Sequence, residues 1–117
     1  MNKEFTTYKQ ALALKELGYN EPCLAWYVSK DYGLEIGKVI QTDLIKDAVV
    51  APTFYQAFKW FREKHSLYGY TLPRGNNETQ KMHFTNNIDV RENIFYKTYE
   101  EAESSCLDKL IEICKNK

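Results

Sequence analysis

The sequence predicts an α+β domain in the order α-ββ-α-ββ(β)-α, with its helices packed on one face of a small antiparallel sheet. Three observations predict it. Three helix starts share one spelling, Thr-aromatic-x-Gln/Glu-Ala, at Thr7–Ala11, Thr53–Ala57 and Thr98–Ala102. Stretches of β-branched and aromatic residues lie between them. Turn signals separate those stretches, at Lys30-Asp31-Tyr32-Gly33, Pro73-Arg74-Gly75 and Asn86-Asn87. Strands joined by short turns pair antiparallel and bury one face under helices.

Each helix start reads as a capping box. The Thr hydroxyl accepts from the N–H three residues on, and the Gln or Glu reaches back to the Thr N–H. The starts stand 46 and 45 residues apart, the spacing of a repeated helix–hairpin unit. Past the alanines, Leu-Ala-Leu-Lys-Glu-Leu, Phe-Lys-Trp-Phe-Arg-Glu and Glu-Ser-Ser-Cys-Leu-Asp do not match position for position. That favours three separate helices with equally good N-termini.

The first helix is expected over residues 8–17, with Gly18 in the left-handed position that ends it. Tyr8, Ala11, Leu12, Leu14 and Leu17 leave little polar circumference, so it is expected to be covered on more than one side. Asn20-Glu21-Pro22 turns the chain. Leu24 to Ser29 and Leu34 to Ile40 read as a hairpin, with Gly33 free to take positive φ in its turn. Gln41 to Lys46 is a polar connection with room for a helical turn. Val49-Val50-Ala51 leads into Pro52, which suits a helix start.

In the second helix Phe54, Ala57, Phe58, Phe61 and His65 form one stripe, opposite Gln56, Lys59 and Glu63. Trp60 falls about 120° from Phe54 on helical geometry. It belongs either to a second layer or to a partly exposed position. Tyr68 to Leu72 reads as a strand ended by Pro73, 75–81 as a polar turn or loop, and Met82 to Thr85 as a returning strand. Ile88 to Tyr96 supplies one more strand, interrupted around Arg91-Glu92-Asn93. The last helix, 99–115, carries Tyr99, Ala102, Cys106, Leu107, Leu110, Ile111, Ile113 and Cys114 on one half and Glu101, Ser104, Asp108, Glu112 and Lys115 on the other. Cys106 and Leu110 are expected to be buried where this helix docks across the sheet.

A chain of 117 residues with 44% hydrophobic residues suits one domain spanning 1–117 without a linker. No apolar stretch is long enough to span a bilayer. Met1 to Thr7 lacks the apolar core of a secretory signal, which sets the expected compartment as cytoplasmic. Sixteen basic residues balance sixteen acidic ones, so the basic excess of a phosphate-binding protein is missing. Three cysteines without a CxxC pair are expected as free, packed thiols.

Catalytic patterns are missing too. None of the five glycines builds a phosphate-binding loop, and no HExxH, EF-hand or GxSxG pattern occurs. Cys106 and Cys114 stand about 12 Å apart along one helix, too far to share an ion. With His65, His83 and Cys23 they therefore predict no metal site, and no cofactor is expected. No nucleophile signature surrounds Cys23. Glu100-Glu101 is explained by its place at a helix N-terminus. The segment Phe58 to His65 mixes aromatic and basic residues, as single-strand binders do. Its phenylalanines lie on the core stripe, however, which favours a core helix with a basic rim. Tyr55, Lys59, Trp60 and Arg62 are the candidate binding residues, because Trp, Tyr and Arg dominate interface hot spots.

Ala11-Leu12-Ala13-Leu14-Lys15-Glu16-Leu17-Gly18-Tyr19-Asn20-Glu21-Pro22-Cys23 resembles the opening of short uncharacterised proteins of Bacteroidetes and their phages or prophages. The stretch Ala51 to Lys64 and the ending Thr98 to Glu103, Cys106-Leu107 and Leu110 to Ile113 resemble the same group. The likeness covers under half of the chain and leaves out the hairpins. It implies a small cytoplasmic protein of phage or mobile-element origin and brings no activity, cofactor or catalytic residue with it.

The expected function is a non-enzymatic binding module that modulates a host or phage protein, host defence included. The alternative is a nucleotide- or single-stranded nucleic-acid-binding module using Trp60 with Lys59, Arg62, Lys64 and His65, together with Arg74 and Lys81. A small enzyme with a dispersed site ranks third. The expected partner is a protein; the oligomeric state is left open, with the Trp60 side of the second helix as the candidate surface for a two-fold homodimer.

Overall fold

The computed structural model describes residues 4–28, 33–40, 48–74, 78–85 and 89–116. It is an α+β structure with the order α1 (Tyr8–Glu16), β1 (Cys23–Tyr27), β2 (Leu34–Ile40), β3 (Val49–Val50), α2 (Phe54–His65), β4 (Leu67–Arg74), β5 (Glu78–Thr85), β6 (Asp89–Tyr96) and α3 (Tyr99–Lys115). The backbone gathers into two compact units, Met1–Gln56 and Ala57–Lys117. The described strands divide between two three-stranded antiparallel sheets, β2-β1-β3 and β4-β5-β6, where one sheet was expected.

The helix caps form largely as the sequence predicts. At α1 the Gln10 N–H donates to Thr7 Oγ1 (3.2 Å) and the Thr7 N–H donates to Gln10 Oε1 (3.0 Å). At α2 the Gln56 N–H donates to Thr53 Oγ1 (3.1 Å) and the Thr53 N–H donates to Gln56 Oε1 (2.9 Å). At α3 only the forward bond is made, from the Glu101 N–H to Thr98 Oγ1 at 3.1 Å. Glu101 stays exposed at the positive end of the helix, where a carboxylate is favoured without that contact.

In the first unit α1 ends in a Schellman motif. Gly18 takes φ +106, its N–H donates to Lys15 O, and the Tyr19 N–H donates to Leu14 O at 2.9 Å. Leu14 and Tyr19 are both buried. Ala11, Ala25, Val49 and Ala51 form a buried cluster, and Phe5, Tyr8, Leu12, Tyr27 and Leu34 pack against it. Buried Ala13, Leu14 and Gln10 widen the covered part of α1 beyond that cluster. Tyr8 and Tyr27 meet edge to face at 5.6 Å, and the Tyr27 hydroxyl donates to Thr6 O at 2.8 Å. The two-residue strand β3 is an addition to the expected order. It pairs with β1 through Trp26↔Val50 and Tyr27↔Val49, a non-local contact with no local signature at that length.

In the second unit β4, β5 and β6 form a meander, and α3 packs across all three strands. Buried Cys106, Leu107 and Leu110 lie on the packed side of α3. Two strand limits differ from expectation. β4 runs through Pro73 instead of stopping there, with Pro73 opposite Thr79. Proline is tolerated because β4 is an edge of this sheet, where a strand position without an N–H need not break a ladder. Glu78 to Lys81, expected as loop, belong to β5. As the central strand, β5 is held by pairing on both sides, and this overrides the polar composition of its first half. The expected interruption of β6 is present as a register shift, with Glu92, Asn93 and Ile94 facing Lys81 alone.

The unit topologies also bear on the repeated spelling. The first strand after α1 is central in its sheet, whereas the first strand after α2 is an edge. The shared caps are not accompanied by a shared strand order. The expected turn at Lys30 to Tyr32, the connection Gln41 to Lys46 and the turns at Gly75 and Asn86-Asn87 lie outside the described residues.

Candidate functional site

Helix α2 carries the residues that the sequence marks for binding. Tyr55, Lys59 and Arg62 are spaced four and three apart, which places them on one stripe. Tyr55 is 71% exposed. Lys59 is exposed and Arg62 is half-buried. Trp60 stands apart from them at 4% exposure. Its ring meets Phe61 edge to face at 5.1 Å and His65 at 4.8 Å, and Phe61 also lies 5.9 Å from His65. Of the two places the helical geometry left for Trp60, the buried one is taken. The indole is thus closed to base stacking and to a partner's pocket, because both need an accessible ring face.

A second surface emerges on β1. Ala25 and Tyr27 turn toward the core cluster of their unit. Leu24 and Trp26 alternate with them and so project from the opposite face, and Val28 follows directly after the strand. Leu24 is 52% and Val28 43% exposed, and half-buried Trp26 stands between them. Trp26 Cη2 lies 3.7 Å from where a Gly37 side chain would begin, so the indole extends over the neighbouring strand. Leu24 also sits at a register shift, opposite Gly37, Lys38 and Val39. Sequence reasoning did not single out this row. Leu24 to Val28 is apolar at every position, and a run apolar on both faces carries no alternation to tell the outer face from the inner.

The titratable groups with resolved shifts are governed by burial. Tyr19 Oη and Cys23 Sγ are hydrogen-bonded at 3.6 Å, and Cys23 also donates to Glu21 O at 3.5 Å. Burial holds the Tyr19 hydroxyl well above the ordinary tyrosine range, and its bond to Cys23 adds to the effect. Burial likewise raises the Cys23 thiol, against a smaller opposing effect of the Tyr19 bond. A thiol kept protonated in this way is a poor nucleophile. Burial also raises the Glu103 carboxyl; the Tyr99 hydroxyl lowers it in part and Glu100 reinforces the rise.

Cys23, Cys106 and Cys114 are buried and carry their sulfurs as thiols, outside any disulfide. His65 belongs to the Trp60 aromatic group. Among the described residues no group of three His, Cys, Asp or Glu side chains is placed to hold a metal ion. Among them, too, no helix is long and apolar enough to cross a membrane. His83 and Lys81 lie on β5 and Arg74 ends β4. No protein-family model matches this chain, and no curated protein or solved structure matches it either.

Proposed function

We propose that this chain is a small non-catalytic binding module that modulates a protein of a phage or of its host, acting in the cytoplasm. The supporting observation is the apolar row Leu24, Trp26 and Val28, with Leu24 and Val28 largely open to solvent. Contiguous apolar side chains on a surface mark contact sites more often than scattered ones do, and Trp is the residue type most enriched at interface anchors. The resemblance of residues 11–23, 51–64 and 98–113 to short phage and prophage proteins supplies the setting. Tyr55, Lys59 and Arg62 form a second, polar contact stripe.

The test is capture from a host lysate by tagged wild-type protein and by the double variant Leu24→Glu/Val28→Glu, with circular dichroism to establish that both are folded. The proposal expects a protein that the wild type retains and the variant loses. Equal retention by both, or no retained protein, overturns it. Nucleic-acid binding is the second reading, favoured by the 71% exposure of Tyr55 beside Lys59. It expects salt-dependent binding of single-stranded oligonucleotides that Tyr55→Ala and Lys59→Glu weaken.

A further inference from the structure

We draw no further inference here: the strongest candidate, the apolar patch of Leu24 and Trp26 on the outward face of β1 with Val28 just after it, belongs to the surface already described, and nothing in the structure shows what covers it.

Discussion

Gly69 on β4 lies directly beneath Leu110 of α3: a β-carbon built on the glycine would stand 2.9 Å from Leu110 Cδ1. It would also come within 2.9 Å of Cys106 Sγ and 3.1 Å of Phe58 Cε1. The helix therefore rests in space that any other residue at position 69 would fill. Glycine weakens a strand interior, and here close approach of another element accounts for it.

Gly69→Ala is expected to destabilise by about 1–3 kcal/mol through overpacking. Leu110→Ala should cost about 2–5 kcal/mol through the cavity it leaves. The two changes act on the same space, so the double variant should lose less than their sum by at least about 0.5 kcal/mol. Urea denaturation of the three variants measures this coupling. Strict additivity would show that Gly69 and Leu110 do not share that space.

Two positive-φ positions give opposite expectations. Gly18 has φ +106 with nothing among the described residues within 4 Å of an added β-carbon, so the cost of substitution is that of the backbone. Gly18→Ala should destabilise by about 1–2 kcal/mol, and Gly18→Asn by less. Ser66, after α2, has φ 55 without being glycine. Ser66→Gly should change stability by no more than about 1 kcal/mol and in the favourable direction, the relief of strain outweighing the added freedom of the unfolded chain. Thermal melts of these variants give the ranking, and a neutral Gly18→Ala contradicts the Schellman assignment.

Thr6 is fully buried, and its Oγ1 has no hydrogen-bond partner among the described residues. Its backbone is well used, with the N–H donating to Pro52 O at 3.0 Å and the carbonyl accepting from Tyr27. Replacing an unsatisfied buried hydroxyl with a methyl of similar shape removes its desolvation penalty, which is about 1–3 kcal/mol. Thr6→Val should raise the denaturation midpoint and Thr6→Ser should lower it, since serine keeps the hydroxyl and loses the methyl. A fall for Thr6→Val of the same size as for Thr6→Ser means the hydroxyl is paired in solution.

Alkaline pH should unfold this protein through Tyr19 and Cys23. Both groups have raised values in the folded chain, from ordinary values of 10.0 and 9.0. The unfolded chain releases these protons first, so above about pH 9 the native state binds more protons and stability falls as pH rises. The contribution is fully present below that point. Tyr19→Phe/Cys23→Ala should flatten the decline between pH 9 and 11, read from urea midpoints across the range. An unchanged slope assigns the alkaline loss to other groups.

Elements with local signatures were legible in the chain. Thr7 and Gln10 are three residues apart, so their mutual bonds follow from sequence alone, and Gly18 marks the helix end for the same reason. The inward half of α3 was legible because a long helix repeats its pattern over several turns, and Cys106, Leu107 and Leu110 are buried as that pattern requires. The same periodicity misplaced Tyr99, which is 52% exposed at the first turn, where the helix end escapes the packed surface.

Other features were decided only when distant segments met. Trp60 lies off the main stripe of α2, and helix periodicity does not encode its burial. β3 exists because Val49 and Val50 pair with β1, and β5 begins at Glu78 because strands flank it on both sides. The exposure of Leu24 and Val28 likewise depends on which face of β1 the core covers. Caps, helix ends and long amphipathic helices are set by residues within a few positions of one another, so one chain determines them. Strand partners, sheet edges and the open face of an apolar strand are set by contacts between distant residues, and only the tertiary structure decides those.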